Sequence, residues 1–266
     1  EHFHVWIVVA EVIITGLSKQ CVMTRAEYKH RVFEIKVLDN VANDINNHME
    51  VIWMKKIVVI GGVAGGASAA ARIRRLDEQA HIVMFEKGPH VSFSNCSLPF
   101  HLSGIVEDSK RLLMMTPDSF ESKYNIDARV NNEVVSINRN EKTVTIKNME
   151  TGELSNESYD KLILSPGASP IIPKLPGTDL PHVFTVRNVV DIEKLQDAIV
   201  KKDAKNIAII GGGFIGVEVA ENLRLAGRDV ALVEHAPQIL TPFDEDMVQI
   251  LHKEMMDQGI QLVVDD

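Results

Sequence analysis

A cysteine in a polar turn is the residue of this sequence whose setting best suits chemistry. Cys96 lies in the stretch VSFSNCSLPF, with Ser94, Asn95 and Ser97 around it and a Leu-Pro pair behind it. A cysteine that only fills a core usually has apolar neighbours, so these polar flanks indicate a thiol that can be reached from outside. The other cysteine, Cys21, lies 75 positions away, which fits neither a disulfide framework nor a metal site. We interpret Cys21 as an incidental thiol.

A second chemical feature is a set of glycines with the spacing of a dinucleotide-binding turn. In KNIAIIGGGFIGVEVAENLRLAG, Gly211, Gly213 and Gly216 follow an aliphatic strand and precede a helix, as G-x-G-x-x-G. The first glycine makes the tight turn, the second admits the pyrophosphate, and the third packs helix on strand. The next strand, DVALVE, ends at Glu234, where an acid accepts hydrogen bonds from a ribose 2′-hydroxyl and repels a 2′-phosphate. With no Arg or Lys beside it, Glu234 favours NADH over NADPH.

The same arrangement occurs 150 positions earlier, in a less regular form. KKIVVIGGVAGGASAAARIRRL contains Gly61 and Gly66, but Val63 stands where the second glycine is expected. Glu86 ends the following strand, HIVMFE, 20 residues after Gly66, at the position of the ribose contact. A tightly packed crossover that binds nothing is the alternative for this stretch. Two copies in one chain make that alternative weaker than it would be for either copy alone.

These patterns predict an α/β fold with two Rossmann-like units, for FAD and then NADH, and a small antiparallel β-sheet inserted between them. The alternating, turn-punctuated stretch EVVSINRNEKTVTIKNMETGELSNESYD predicts that sheet. The prolines between Pro166 and Pro181 predict a stiff crossing segment rather than a helix or strand. We expect an incomplete FAD-binding domain at 54–170 and an incomplete NADH-binding domain at 171–266. Residues 1–53 are interpreted as an extension of unknown role, because MKKIVVIGG at Met54 reads as a natural beginning.

Composition and charge argue against several other classes of protein. The formal net charge of the 266 residues is −9, which argues against nucleic acid as a partner. The early apolar run VWIVVAEVIITGL is short and contains Glu11, so neither a membrane span nor a signal peptide is predicted. The scarcity of cysteine fits a reducing cytoplasm. His81, His90 and His101 have no ligand spacing, and no metal site is predicted.

Two dinucleotide units in one chain suggest hydride transfer from a nicotinamide to a flavin, which can pass electrons on to sulfur or oxygen. A helix is expected at CSLPFHLSG, since Pro99 is tolerated in a first turn. Unpaired N–H groups at such a helix start would stabilise the thiolate of Cys96. Together these features predict a redox-active thiol.

From Met54 to its end, the chain resembles the flavoprotein pyridine nucleotide-disulfide oxidoreductases. More narrowly, GGVAGGASAAARIRRL, SFSNCSLPF and YDKLILSPGASP resemble the coenzyme A-disulfide reductases, including those with a fused rhodanese domain. The resemblance implies FAD and NADH as cofactors, with NADPH as an alternative, a small-molecule disulfide of the coenzyme A type as substrate, and a homodimeric parent protein. Relatives of the glutathione-reductase type carry two cysteines, as C-x4-C, whereas this motif has Ser92, Asn95 and a single cysteine, Cys96. That cysteine must therefore cycle with an external partner, as a mixed disulfide with a small thiol or as a sulfenic acid.

The resemblance also implies roles for individual residues. Cys96 is the catalytic nucleophile, and Ser92 and Asn95 match positions that contact coenzyme A near its sulfur. Arg75 matches a residue that contacts the coenzyme A phosphates, and Arg72 lies where relatives can carry another polar residue. Without the resemblance, the RIRR run is equally well a solvated helix face. The cofactor-binding residues are then Gly61, Gly62, Ala64, Gly65, Gly66, Glu86, Lys87, Gly167, Gly211, Gly213, Phe214, Ile215, Gly216 and Glu234.

Two other functions remain open from sequence alone. An NADH peroxidase or NADH oxidase would share the fold and the single cysteine but pass electrons to peroxide or oxygen. A dinucleotide-binding module without turnover belongs to a different class and would not need Cys96. The sequence stops at QGIQLVVDD, within the second unit, so we expect this chain alone to be catalytically compromised.

Overall fold

The computed structural model describes residues 54–173 and 175–266. The extension predicted for residues 1–53, with Cys21, lies outside the described residues. The described chain divides into two compact units, one formed by 54–88 with Phe120–Gly167 and the other by Pro89–Ser119 with the described part of Ala168–Asp266. The domain limits at 170 and 171 stay a prediction.

The first unit is built on a parallel sheet with the strand order β3-β2-β1-β7. Strands β1, β2 and β7 are short, mainly apolar runs of the kind that a buried parallel sheet requires, whereas β3 has the sequence IDAR. Ala-rich α1 crosses from β1 to β2 and carries Arg74 and Arg75 in its last turn, where positive charge suits the helix dipole. The elements are β1 (Lys56–Ile60), α1 (Ala64–Leu76), β2 (His81–Phe85), β3 (Ile126–Arg129) and β7 (Lys161–Leu164).

An antiparallel sheet of order β4-β5-β6 is inserted between β3 and β7. It consists of β4 (Asn132–Asn138), β5 (Thr143–Asn148) and β6 (Leu154–Ser158). Val144 and Ile146 of β5 are buried in one cluster with Val58, Val83 and Phe85 of the parallel sheet. The predicted antiparallel sheet is therefore confirmed, and apolar burial joins it to the parallel sheet.

Charged side chains also join the two sheets of the first unit. Glu157 of β6 accepts hydrogen bonds from Lys56 of β1 and, at 2.9 Å, from Nη1 of Arg129 in β3. The Arg129 guanidinium lies 5.4 Å from the ring centroid of Phe85. Burial by itself raises the pKa of Glu157, but the hydrogen bonds from Lys56 and Arg129 outweigh burial and hold that pKa below its ordinary value of 4.5.

The second unit contains a parallel sheet of order β10-β9-β8 and the segment that carries Cys96. That segment forms a 3-10 turn at Asn95–Ser97, the short helix α2 (Leu98–Leu102) and a second 3-10 turn at Ser109–Leu112. The chain passes from this unit to the first within α3 (Pro117–Tyr124). The remaining elements are α4 (Val189–Lys201), β8 (Asn206–Ile210), α5 (Phe214–Leu225), β9 (Asp229–Glu234), α6 (Glu245–Asp257) and β10 (Gln261–Val264).

The proline-rich passage contains no helix or strand among its described residues, as predicted. Both units show strand, glycine turn and helix in the predicted order, and the predicted α/β class is confirmed. Across 54–173 and 175–266, no helix has the length and apolar character needed to cross a membrane.

Candidate dinucleotide and thiol sites

The outer glycines of both turns are required by the backbone. Gly61 has φ +94°, and a Cβ there would lie 1.9 Å from the Ser165 carbonyl oxygen. A Cβ on Gly66 would lie 1.7 Å from the Gly61 oxygen. The second turn repeats this geometry, since Gly211 has φ +107° and a Cβ on Gly216 would lie 1.9 Å from the Gly211 oxygen. These four glycines serve the turn itself and the contact between helix and strand.

The middle position of each turn has a different role. Val63 has φ −94° and Gly213 has φ −75°, so neither backbone conformation demands glycine. A Cβ on Gly213 would meet no protein atom within 4 Å. The fold itself therefore does not require glycine at position 213. The negative φ of Val63 likewise explains why a residue with a side chain is compatible with the turn in the first unit.

The helices that follow the two turns begin without a side-chain cap. Val63 precedes α1 and Gly213 precedes α5, neither residue caps its helix, and neither first turn contains an acid. In α4, by contrast, Asn188 Oδ1 accepts the N–H of Asp191 at 2.9 Å. Uncapped N–H groups at a positive helix end fit a pyrophosphate. Both turns thus have uncapped backbone donors, and the second turn also has free space at Gly213 for a dinucleotide.

The two predicted ribose-binding acids also fasten the turns. Glu86 accepts N–H groups from Gly62 at 2.8 Å and from Gly88 at 2.9 Å. Glu234 accepts them from Gly212 at 2.5 Å and from Ala236 at 2.8 Å. Each carboxylate oxygen has a second lone pair, so a ribose hydroxyl can still be bound. The sequence indicated only the ribose contact and missed this anchoring of the turn.

The other predicted cofactor residues lie close to these turns in the chain. Ala64 and Gly65 are exposed at the start of α1, and Lys87 is exposed behind β2. Gly167 is exposed behind β7 with φ +69°. Ile215 is 52% exposed in the first turn of α5.

Phe214 opens α5 at the second glycine turn. Its ring is 59% exposed and meets Phe243 edge to face, with centroids 5.9 Å apart. An aromatic ring so open at a dinucleotide turn is available for contact with a ligand.

Cys96 is an exposed, free thiol within the 3-10 turn Asn95–Ser97. The predicted helix is present, with Pro99 in its first turn, but α2 has only five residues and begins after the cysteine. The expected stabilisation of the thiolate by a helix N-terminus therefore loses its structural basis, because a helix this short sums few peptide dipoles. Exposure of the thiol, which the polar flanks predicted, is what the structure provides.

A strand-like bridge and backbone hydrogen bonds hold the turn that carries Cys96. Buried Phe93 forms a bridge with Leu113, and the Ser92 carbonyl accepts the N–H of Met114 at 2.7 Å. Ser92 itself has φ +47°, a left-handed conformation that costs free energy in a residue other than glycine. The amide oxygen of Asn95 is buried and accepts no hydrogen bond from the described residues. It is an acceptor one residue from the thiol, ready for a donor on a bound molecule.

A polar pair, half-buried Ser103 and buried Asn222, ties this segment to α5. Ser103 Oγ donates to Asn222 Oδ1 at 2.7 Å, and Asn222 is only 1% exposed. The cysteine segment and the helix of the second glycine turn therefore belong to one packed unit. Sequence reasoning missed both residues, although an asparagine among the apolar residues of α5 was a usable signal.

The arginines of the RIRR run divide into two kinds. Arg72 and Arg75 are exposed on α1 and have no hydrogen bond or ion pair with any other described residue. Arg74 donates instead to the carbonyl oxygens of Tyr124 and Asn125, both at 2.7 Å. Arg74 is thus a structural residue at the end of α3, and Arg72 and Arg75 are free to bind an anion. They belong to the first unit, whereas Ser92, Asn95 and Cys96 belong to the second.

Residues 55–266 match the family model described as pyridine nucleotide-disulphide oxidoreductase. The coenzyme A disulfide reductase of Staphylococcus haemolyticus (strain JCSC1435) is 42% identical over 202 residues, covering 76% of this chain and 45% of that protein. The chain belongs to the pyridine nucleotide-disulphide oxidoreductase family, as its motifs predicted, and spans about half the length of the curated relatives it matches.

Two solved structures show the same fold. Reduced Bacillus anthracis CoADR-RHD matches with a TM-score of 0.78 and 48% identity, over 80% of this chain and 38% of that one. The water-forming NADH oxidase of Lactobacillus brevis, bound to NADH, matches with a TM-score of 0.73 and 31% identity, over 79% of this chain and 46% of that one. Membership of this family implies FAD and a nicotinamide dinucleotide as cofactors, which the two glycine turns had predicted.

Proposed function

We propose that this chain serves an FAD-dependent, NAD(P)H-driven reductase of coenzyme A disulfide or a related small disulfide or persulfide, with Cys96 as its redox-active cysteine. The observation that carries the proposal is an exposed thiol on a turn held by backbone hydrogen bonds, within the same unit as an open dinucleotide turn. The 42% identity to a coenzyme A disulfide reductase supports this choice of substrate class.

The cofactors would be held by the parts of the chain already described. The first turn, with Gly61, Gly66 and Glu86, would bind FAD, and the second, with Gly213 and Glu234, would bind NADH. When bound, FAD supplies a carrier for the two electrons that a nicotinamide gives up as hydride and a disulfide needs. The negative charge of Glu234 opposes a 2′-phosphate, so the preferred nucleotide is NADH.

Cys96 contributes the thiol–disulfide exchange. Its thiolate attacks one sulfur of the substrate disulfide, so that a bond between Cys96 and that sulfur forms while the substrate S–S bond breaks. The second half of the substrate leaves as a thiolate and takes up a proton from water. Asn95 offers its free amide oxygen to a donor on the bound half. Two electrons and one proton then convert the mixed disulfide to the Cys96 thiolate and a second molecule of thiol.

Arg75 and Arg72 are proposed to bind the substrate phosphates. Both guanidinium groups are exposed and unpaired within the described part of the chain, and guanidinium suits phosphate oxygens. They contribute only if the substrate carries phosphate, as coenzyme A does. Loss of these charges is expected to weaken binding of coenzyme A disulfide more than binding of an uncharged disulfide.

Formation of the mixed disulfide tests the proposal without requiring turnover. The purified 266-residue chain is incubated with coenzyme A disulfide, and peptides are examined by mass spectrometry. We expect a coenzyme A adduct on Cys96, retained in Cys21→Ser and absent in Cys96→Ser. With FAD and NADH present, release of thiol is expected to fall by about 10³-fold or more in Cys96→Ser. A chain that forms no adduct on Cys96 would contradict the proposed role.

Reduction of oxygen is a second candidate, favoured by the match to the NADH oxidase of Lactobacillus brevis. An exposed single thiol can also cycle as a sulfenic acid. Oxygen consumption and thiol release, measured with the same NADH supply, separate the two. Electron flow mainly to oxygen would replace the disulfide reductase proposal.

A further inference from the structure

His252 is a buried histidine to which no role has yet been assigned. It lies on α6 and is 6% exposed. Its Nε2 accepts the N–H of Ile239 at 3.3 Å, and Ile239 is fully buried in the loop that follows β9. A buried backbone N–H needs an acceptor, so this bond fixes the position of the loop at Ile239.

The same loop closes onto the second glycine turn. The N–H of Leu240 donates to the Gly212 oxygen at 2.8 Å. A Cβ on Gly212 would lie 2.6 Å from Cγ2 of Ile239, so the Ile239 side chain packs directly against the Gly212 backbone. Gly212 in turn donates its N–H to Glu234. A short chain of contacts thus runs from His252 through Ile239 to the turn and to the predicted ribose-binding acid.

The backbone conformation of this loop favours a rearrangement when the His252 hydrogen bond is lost. Leu240 has φ +46°, a left-handed conformation that costs free energy in a residue with a Cβ. Such a conformation persists only where neighbouring contacts enforce it. The bonds at Ile239 and Leu240 are those contacts, and one of them depends on the His252 ring.

The bond depends on the charge of the imidazole. A neutral ring accepts at one nitrogen, whereas a protonated ring donates from both and faces the Ile239 N–H with a second donor. Burial lowers the pKa of His252, and no charged partner contributes to this shift. Each carboxylate oxygen of Glu234 already accepts one backbone N–H, from Gly212 or from Ala236. The other titratable side chains on β9, the loop, α6 and β10 near this point are exposed: His235, Asp244, Glu245, Asp246, Lys253, Glu254, Asp257 and Asp265.

We propose that His252 is a positioning residue for dinucleotide binding: its neutral ring holds Ile239 and Leu240 against Gly212, and its protonation releases them and weakens the binding of NADH. The inference rests on the dinucleotide site of the proposed function. It assigns to this site a pH sensitivity that originates on α6 rather than in any group that touches the nucleotide.

The test compares NADH affinity across pH for four proteins by calorimetry. In the 266-residue chain, the dissociation constant is expected to rise as pH falls from 7.5 to 5.5, by less than about tenfold because burial lowers the pKa of His252 from its ordinary value of 6.5. His252→Gln, whose side-chain oxygen can accept the Ile239 N–H in either condition, is expected to bind with little pH dependence. His252→Leu removes the acceptor and is expected to bind weakly at both pH values. His182→Gln replaces an exposed histidine of the same unit and is expected to behave like the unmodified chain.

A second readout does not require NADH. The amide NMR signals of Ile239 and Gly212 are expected to shift with the titration of the His252 ring, and to lose that shift in His252→Gln. Binding of NADH with the same pH dependence in the unmodified chain and in His252→Gln would overturn this inference and leave the proposed function intact. Absence of NADH binding at every pH would instead remove the proposed function and the inference with it.

Discussion

At the residue scale, Glu234 combines structural and ligand-binding roles in one carboxylate. It accepts the N–H of Gly212 at 2.5 Å and that of Ala236 at 2.8 Å, and so holds the glycine turn against β9. Its charge remains available to oppose a 2′-phosphate. A substitution at Glu234 therefore acts on nucleotide preference and on the shape of the turn together.

Glu234→Gln is expected to raise affinity for NADPH relative to NADH by about tenfold, because the amide keeps an acceptor but loses the negative charge. NADH affinity should fall at the same time, since the Gly212 and Ala236 N–H groups bond to different oxygens of Glu234 and the glutamine amide can accept only one of them. Calorimetric titration with both nucleotides measures the ratio. Glu221→Gln, an exposed acid on α5, is the matched control and should leave the ratio unchanged. An unchanged ratio in Glu234→Gln would remove Glu234 from nucleotide selection.

At the element scale, the strand–turn–helix unit separates glycines that build the turn from one that leaves room for a ligand. A Cβ at Gly216 would lie 1.9 Å from a backbone oxygen that cannot retreat without breaking the turn. A Cβ at Gly213 would meet no protein atom within 4 Å, and the backbone of this residue has φ −75°. The two positions make a matched pair for the same chemical change.

Gly216→Ala is expected to destabilise the protein by about 2–3 kcal/mol, through a clash between helix and strand. The corresponding fall in Tm is about 4–12 °C for a chain of this size. Gly213→Ala should keep or slightly raise Tm, because alanine fits this backbone conformation, and should weaken NADH binding about tenfold or more. Thermal unfolding and NADH titration of both variants provide the comparison. Equal Tm losses would contradict the division of roles.

At the scale of the whole molecule, each unit has, among its described residues, an ionisable group whose pKa is lowered by folding. Glu157 in the first unit binds protons more weakly when folded, because the bonds from Lys56 and Arg129 outweigh burial. His252 in the second unit does so because burial disfavours its charged form. In both cases the unfolded chain binds the proton more readily. Stability is therefore lost as pH falls, from about 6.5 downward for His252 and from about 4.5 downward for Glu157.

The two units are thus expected to lose stability in sequence on acidification. Amide hydrogen exchange read by mass spectrometry, corrected for intrinsic rates, should show the α6 region weakening below pH 6.5, while β1 and β6 stay protected until below pH 4.5. His252→Gln should remove the upper step, and Glu157→Gln should reduce the lower one. An upper step that persists in His252→Gln would assign it to another group.

Much of the fold could be read from local sequence. Strands, glycine turns and helices follow from aliphatic runs and from glycines at fixed spacing, because positive φ and close backbone approach are short-range demands. Cys96 was identifiable because its polar neighbours predicted the exposure that the structure shows. The antiparallel sheet was readable from its alternating pattern. The predicted helix start at Cys96 was less successful, since α2 begins two residues later, at Leu98, after a 3-10 turn.

The sequence by itself determined the α/β class, the paired glycine turns with their acids, and the exposed thiol, because each depends on residues close together in the chain. Only the tertiary structure decided the long-range bonds. Ser103 meets Asn222 across 119 positions, Arg74 closes the end of α3 rather than remaining on a solvated face, and His252 holds the loop at Ile239. Such bonds are selected by burial and by the need to satisfy every buried polar group, which no local pattern encodes.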